Sequence, residues 1–158
     1  MPALRDLLTG AGYDDVQTYV QSGNVVLTTV ASPRKLERES AALISDHFGF
    51  DVPVVVRTRT ELERVVQANP LGDLANNDKR YQVCFLTHKL DAKTADRLRA
   101  LVVEPEAVAF DGREIYAWHP EGVARSKLWN AIASKNLGVT GTARNWTTVR
   151  TLLEMAQD

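Results

Sequence analysis

Residues 107–118 read Ala-Val-Ala-Phe-Asp-Gly-Arg-Glu-Ile-Tyr-Ala-Trp. Two runs of β-forming residues flank the pair Asp111-Gly112, which is typical of tight turns between antiparallel strands. We therefore predict a β-hairpin with a two-residue turn at Asp111 and Gly112. Side chains of a strand alternate between two faces, so one face of the second strand is expected to carry Ile115 and Ala117, and the other Tyr116 and Trp118.

The segments around this hairpin predict a sheet with helices beside it. Residues 81–86 are mostly apolar and predict a strand, and Asp91 is suited to cap the helix that follows. A helix near 126–136 and another after Asn145 or Thr147 end the chain. Helices mixed with hairpins favour α+β layers over a doubly wound parallel sheet.

The first half of the chain alternates helices and strands in another order. An N-terminal helix precedes a hairpin centred on Gln21-Ser22-Gly23-Asn24, and a second helix begins at Ser32-Pro33 and ends at Gly49. A strand is predicted at 52–57, and the pattern Thr60 to Glu63 predicts a capped helix. The order α-β-β-α-β-α is that of a ferredoxin-like βαββαβ unit without its opening strand.

These elements predict an α+β protein in two subdomains. Residues 1–70 form the ferredoxin-like subdomain without its N-terminal strand, and residues 71–158 form a second small α+β subdomain with two C-terminal helices. The polar stretch 69–79 is the expected boundary. We expect the two subdomains to share one compact unit.

The composition excludes several classes of protein. Of 158 residues, 44% are hydrophobic and 25% are charged, as in ordinary globular domains, and no apolar run is long enough to span a bilayer. The single cysteine, Cys84, forms no internal disulfide and no thiolate metal cage. These features, with an N-terminus that lacks a signal-peptide pattern, predict a cytoplasmic protein that does not associate with membranes.

The charge is unevenly distributed along the chain. Residues 1–121 carry 14 basic and 18 acidic side chains, a net charge of -4, whereas residues 122–153 carry five basic side chains and no acidic one. The overall net charge of -1 argues against nucleic acid as a general partner. The basic stretch is either a solvated face or part of an anion site.

Standard catalytic signatures are missing from the sequence. It contains no GxSxG, HExxH, GxxxxGK[ST] or GxGxxG motif, and its histidines lack metal-ligand spacing. His119 follows a predicted strand and is the one histidine of interest, although no partner for it is evident. We predict no cofactor and no metal, and we favour a protein without enzymatic activity.

Two groups of polar residues are candidate ligand-binding positions. In the second half, basic residues stand beside cap-type residues where helices are predicted to begin, and such helix starts hold anions. Arg125, Lys127 and Arg144 are expected to converge on one surface. In the first half, the hairpin polar residues either bond their own backbone or contact a ligand. The full candidate set is Gln21, Ser22, Asn24, Arg125, Ser126, Lys127, Arg144 and Asn145.

Several strings resemble the bacterial "domain of unknown function 1697" family, in the family's order. They are Tyr19 to Val26, Phe48 to Val54, Gly112 to Tyr116, Arg125 to Leu128, and Thr142 to Thr147. The resemblance implies an α+β fold with a ferredoxin-like first half. It implies no activity, because the family has no established one.

The resemblance also implies an additional strand ahead of the first helix, whereas this sequence starts at Met1-Pro2. In a ferredoxin-like sheet that strand lies between those predicted at 24–29 and 52–57. We therefore expect these two strands to pair directly, or another segment or a second copy of the chain to supply a strand. A homodimer through an exposed strand edge is the favoured outcome.

The leading functional hypothesis is a module that binds a phosphorylated or carboxylated small molecule. A second hypothesis is a nucleic-acid binder that stacks bases on Tyr116, Trp118, Trp129 or Trp146. A third is an enzyme with a substrate-assisted or acid-base mechanism that uses arginine, asparagine and His119. A fourth is a protein-interaction domain that pairs through a sheet edge.

Overall fold

The computed structural model describes residues 2–19, 23–134 and 137–156. Contacts divide the chain into two compact units, one of Met1–Leu62 with Thr151–Asp158, the other of Glu63–Arg150. The division at residue 70 and the sharing of one compact unit stay predictions. None of the described helices is both long enough and apolar enough to cross a membrane.

The first unit contains a hairpin and two helices. Its elements are α1 (Pro2–Gly10), β1 (Asp14–Tyr19), β2 (Asn24–Thr28) and α2 (Pro33–Phe48). The strands pair antiparallel, with Tyr19 opposite Asn24, which confirms the first predicted hairpin. Helix α1 contacts β1 and α2. The Tyr13 hydroxyl, just after α1, donates a 2.7 Å hydrogen bond to Glu39 Oε2 in α2.

Local signals at both ends determine the length of α2. Ser32 Oγ accepts a hydrogen bond from the Lys35 backbone N–H, and Pro33 occupies the first turn, where no backbone donor is needed. Gly49 then adopts φ +79° and ends the helix, because a left-handed residue at this position costs least when it is glycine.

The strand predicted at 52–57 is wrong, because residues 51–58 adopt no regular secondary structure. A strand needs a hydrogen-bonded neighbour, and in the described residues β1 and β2 form a sheet of two strands only. The Val56 N–H instead donates to Glu37 Oε1 at 3.1 Å, and Pro53 has no N–H to offer. Direct pairing of this segment with β2 is therefore also wrong.

Helix α3 (Arg59–Ala68) follows, and its capping box lies two residues earlier than predicted. Thr58 Oγ1 accepts from the Glu61 N–H at 3.2 Å, and Glu61 Oε1 accepts from the Thr58 N–H at 2.9 Å. The spacing Thr-x-x-Glu occurs twice in this stretch, at 58–61 and 60–63. Only the first pair forms the reciprocal bonds.

The second unit is built on a four-stranded antiparallel sheet. The sheet has the order β4-β5-β3-β6. The elements that follow α3 are β3 (Tyr81–Leu86), α4 (Ala92–Arg99), β4 (Ala107–Asp111), β5 (Glu114–Trp118), α5 (Lys127–Ile132), β6 (Gly141–Asn145) and α6 (Trp146–Met155). Helix α6 belongs to the second unit up to Arg150 and to the first unit from Thr151. The described chain is thus an α+β protein with two antiparallel sheets and six helices.

The hairpin of β4 and β5 is confirmed, but its turn lies one residue further along. Asp111 pairs with Glu114, so Gly112 and Arg113 form the turn, and Gly112 has φ +56°. The predicted alternation of faces is correct. Ile115 and Ala117 belong to the core cluster beneath α4 and α5, which contains neither Tyr116 nor Trp118.

The core of the second unit lies between one face of the sheet and helices α4 and α5. Strand β3 contributes Cys84 and Leu86 to it, and the helices contribute Leu98, Leu128 and Ile132. On the other face, the Tyr81 ring stacks on Trp146 with 4.7 Å between ring centroids. Cys84 is buried, as expected from its place in an apolar strand.

Strand β6 was not predicted. Its sequence, Gly-Thr-Ala-Arg-Asn, lacks the alternation of apolar and polar residues by which strands are recognised. It pairs with β3 along its whole length, with Gly141 opposite Leu86. A Cβ at Gly141 would lie 2.7 Å from Leu86 Cδ2 and 3.2 Å from the Phe85 carbonyl oxygen, so any other residue here would force its neighbours on β3 to shift.

Candidate functional site

Two loops meet beyond the open end of the β4–β5 hairpin. The register pairs Ala107 with Trp118, so the residues immediately outside this pair, Glu106 and His119, are brought side by side. The first loop makes a turn in which the Glu106 N–H bonds the Val103 carbonyl. The second loop runs from His119 to Ser126 and leads into α5.

A cluster of three polar side chains, which we call the buried cluster, joins the two loops; His119 and Ser126 are buried, and Glu106 is partly buried. His119 is completely buried, and its Nδ1 lies 2.8 Å from Glu106 Oε2. Ser126 is also buried, with its Oγ 3.4 Å from the same His119 nitrogen. Ser126 Oγ additionally accepts the Trp129 backbone N–H at 3.0 Å and so caps α5.

The environment of Glu106 favours its charged form. Burial raises the pKa of this carboxyl, but hydrogen bonds from Ser126 and His119, the charge of His119 and a backbone hydrogen bond at Val103 together hold the pKa below its ordinary value. A buried carboxylate is tolerated only when such partners surround it. Glu106 therefore fixes the turn at 103–106 to the loop at 119–126.

This cluster does not have the geometry of a serine nucleophile with a histidine base. In that arrangement the serine and the carboxylate contact opposite nitrogens of the imidazole. Here Ser126 and Glu106 both face His119 Nδ1, whereas Nε2 is buried without a hydrogen-bond partner in the described part of the chain. The Trp129 ring packs edge-on against His119, 5.5 Å between centroids. The arrangement favours a structural role for the three groups.

A cavity of about 360 Å³ opens where the two loops meet. We call it the loop cavity, and its lining residues are Val103, Glu104, Pro105, Glu106, Pro120, Glu121, Gly122, Ala124, Arg125, Ser126 and Lys127. Its volume is at the small end of the range for sites that hold small molecules, about 300–1,000 Å³. Within the described residues, no group of three potential metal ligands occurs.

Three of the predicted site residues line the loop cavity. Arg125 and Lys127 are exposed there, and neither side chain forms a hydrogen bond or an ion pair with the described part of the protein. Ser126, between them, serves as the predicted cap. Ligand binding by these three residues stays a prediction.

The other two basic-stretch candidates lie on β6 and do not line this cavity. Arg144 donates to the carbonyl of Ala143 at 2.8 Å, and burial lowers the pKa of its guanidinium. Asn145 Oδ1 accepts the Thr148 N–H at 2.9 Å and caps α6. Arg144 thus projects from a strand and is not among the lining residues of the loop cavity, and its convergence with Arg125 and Lys127 on one surface stays a prediction.

The hairpin candidates are in the first unit. Asn24 is buried, and its Nδ2 donates to the Tyr19 carbonyl at 3.0 Å. This bond is the one expected if the hairpin polar groups satisfy their own backbone. Gln21 and Ser22 lie outside the described residues, and ligand binding at all three stays a prediction.

Sequence reasoning missed the partners of His119 and the acidic side of the cavity. Glu104, Glu106 and Glu121 have no motif around them, and only the hairpin register brings Glu106 to His119. The aromatic rings proposed to stack on bases were expected to be accessible, and three of the four are not. Tyr116, Trp118 and Trp146 are buried in the second unit and offer no face to a base.

Comparisons with known proteins agree with this fold. A family model described as "Protein of unknown function (DUF1697)" matches residues 1–116, which include the first loop of the cavity but not the second. A solved structure of the conserved bacterial protein SP0830 from Streptococcus pneumoniae is similar, with a TM-score of 0.75 and 22% identity. The similarity covers 99% of this chain and 88% of that one. No curated protein matches the chain. The match over residues 1–116 shows that this chain belongs to the DUF1697 family.

Proposed function

We propose that this protein binds a small molecule bearing a carboxylate or phosphate group in the loop cavity. One observation carries the proposal: Arg125 and Lys127 line the cavity with no partner for either charge among the described residues. Cations that stabilise a fold are normally engaged with carboxylates or carbonyls. Two unengaged cations at one concave site are instead suited to an anion.

The buried cluster supports this proposal because its hydrogen bonds join the two loops that line the cavity. Glu106 is held by His119 and Ser126, and Ser126 is held by the Trp129 N–H. The chain on either side of Ser126 is therefore fixed in position, so Arg125 and Lys127 project from an ordered backbone. A binding site built on an ordered backbone loses less conformational entropy when the ligand binds.

Calorimetric titrations with inorganic phosphate, succinate and citrate test the proposal. We expect at least one of these probes to bind, and we expect Arg125→Ala and Lys127→Ala each to weaken it about tenfold or more, the loss of one charge-assisted hydrogen bond. Lys89→Ala is the control, because Lys89 is an exposed lysine of the same unit that does not line the cavity. Equal weakening by the control variant would contradict the proposal.

The nucleic-acid alternative is tested in the same experiment with a single-stranded oligonucleotide. Binding that falls steeply with salt would support that alternative. Burial of three of its four stacking rings argues against it.

Two further proposals rest on less specific features. We propose a cytoplasmic location, which the single free cysteine, Cys84, supports. We also propose a homodimer through a strand edge, since β4 and β6 are the outer strands of their sheet and the described β1–β2 sheet has only two strands. Light scattering after size-exclusion chromatography tests the dimer, and a monomer at all concentrations would overturn it.

A further inference from the structure

The loop cavity carries charges of both signs. Besides Arg125 and Lys127, its lining includes Glu104 and Glu121, which are exposed and form no hydrogen bond or ion pair with the described residues. The third carboxylate, Glu106, is engaged with His119. Two cations and two carboxylates are thus available to a ligand at one site.

The basic groups come from one stretch of the chain, whereas the acidic groups come from both loops. Arg125 and Lys127 lie at the start of α5, and Glu121 lies in the turn closed by the bond from the Gly122 N–H to the His119 carbonyl. Glu104 lies in the other loop, within the turn that joins Val103 to Glu106. The cavity therefore has basic groups from the end of the second loop and the start of α5, and one acidic group from each loop.

This distribution favours a ligand that itself carries both charges. A simple anion is attracted by the basic groups, but the carboxylates around the same small space oppose it. A simple cation is attracted by the carboxylates but repelled by Arg125 and Lys127. A molecule with a carboxylate at one end and an ammonium group at the other is stabilised by both sets of groups.

The uncharged residues that line the cavity indicate that the rest of the ligand is apolar. Val103, Pro105, Pro120 and Ala124 contribute apolar surface, and Val103 is 63% exposed although it is a large aliphatic residue. An exposed aliphatic side chain at a concave site is suited to contact an apolar group of a ligand. The volume of about 360 Å³ restricts that ligand to a small molecule.

We propose that the ligand class of the loop cavity is a zwitterionic amino acid, or a similarly small amino-carboxylate, with an apolar side chain. Its carboxylate would be bound by Arg125 and Lys127, and its ammonium group by Glu104 and Glu121. This inference rests on the proposed function, because it assigns the same two cations to the same anionic group.

Matched probes separate the contribution of each charge. One set of probes has the same branched apolar chain. Leucine carries both charges, 4-methylpentanoate carries only the carboxylate, and 3-methylbutylamine carries only the amine. Valine with 3-methylbutanoate and 2-methylpropylamine forms a second such set. Calorimetric or NMR titration of the whole chain gives the dissociation constants. In at least one set we expect the amino acid to bind ten or more times more tightly than either truncated analogue.

Variants of the lining assign each charge to its partners. Glu104→Gln and Glu121→Gln should weaken amino acid binding about fivefold or more without weakening binding of the acid. Arg125→Ala should weaken both. Asp73→Asn, an exposed carboxylate of the same unit away from the cavity, is the control and should change nothing. A weakening by Asp73→Asn equal to that of Glu104→Gln and Glu121→Gln would overturn the assignment.

The outcomes distinguish this inference from the proposed function. If the acid binds as tightly as the amino acid and both depend on Arg125, the zwitterion is overturned and the anion site stands. If the amine binds as tightly as the amino acid while neither the acid nor any of phosphate, succinate and citrate binds, both are overturned. Failure of every amino acid, acid and inorganic probe to bind also overturns both.

Discussion

Replacing Glu106 with glutamine removes one charge from the buried cluster while keeping the shape of the side chain. The Glu106 carboxylate accepts hydrogen bonds from His119 at 2.8 Å and from Ser126. A glutamine amide carries no charge, so neither donor would retain a hydrogen bond to a charged group. A hydrogen bond to a charged group contributes about 1.5–3 kcal/mol, and we expect Glu106→Gln to lower the free energy of unfolding by that amount at pH 7.

The pH dependence of this loss follows from the lowered pKa of Glu106. The folded chain releases the Glu106 proton at a lower pH than the unfolded chain, whose carboxyl has the ordinary pKa of 4.5. Between these two values the unfolded state binds more protons, so stability rises with pH. The contribution is complete above the unfolded pKa and is lost as pH falls through the folded value. The deficit of Glu106→Gln should therefore shrink as the pH falls below about 4.5.

Cys84 provides a readout confined to the second unit. It is the single cysteine of the chain, is 5% exposed and lies on β3, so pulse labelling of its thiol in urea measures unfolding of that sheet. Glu121→Gln is the matched control, because Glu121 is exposed and has no partner among the described residues; it should change stability by less than about 0.5 kcal/mol. A Glu106→Gln variant as stable as wild type at pH 7, or a deficit undiminished at about pH 3.5, would refute the reasoning.

Five further substitutions test the packing, the turn and the hydrogen bonding, each by urea unfolding. Gly141→Ala should destabilise by about 1–3 kcal/mol, because its Cβ would meet Leu86 Cδ2 at 2.7 Å, whereas Gly10→Ala, with no atom within 4 Å, should not destabilise. Gly112→Ala should cost about 1–2 kcal/mol because the residue has φ +56°, and a stability equal to wild type would contradict the turn assignment. Tyr116→Phe should leave stability unchanged or raise it, since the buried hydroxyl has no partner among the described residues. Tyr13→Phe, which loses the 2.7 Å bond to Glu39, should instead destabilise by about 1 kcal/mol, and the opposite order of the two tyrosine variants would contradict both assignments.

Elements with strong local signals were predicted well. Strand β3 has the predicted bounds of Tyr81 and Leu86, and Ser32, Asp91 and Ser126 cap the helices that follow them. Each of these features depends on residues within one turn or one strand of each other. A local interaction, such as a side-chain oxygen that accepts a hydrogen bond from the N–H three residues later, can be predicted from the residue types and their spacing.

The elements that were predicted wrongly or missed are strands, which form only beside a partner strand that is distant in the sequence. Residues 52–57 have a strand-like composition but no strand partner among the described residues, and the Val56 N–H bonds Glu37 instead. Strand β6 has a poor strand composition but forms because β3 offers it a free edge. The stability of a strand depends on the strand beside it as much as on its own residues. The sequence of one segment therefore could not predict the loss of the strand at 52–57 or the formation of β6.

In the candidate site, too, some features follow from the local sequence and others from the tertiary structure. The sequence by itself determined the acid-free stretch, the Ser126 cap and the two cations beside it, because these depend on residue type and local spacing. Tertiary structure decided the partner of His119. A turn at residues 111 and 112 would place Glu104 opposite His119, whereas the turn at 112 and 113 places Glu106 there. Because the position of the turn sets the pairing register of the whole hairpin, only the folded chain could select the carboxylate that joins the two loops and shapes the cavity between them.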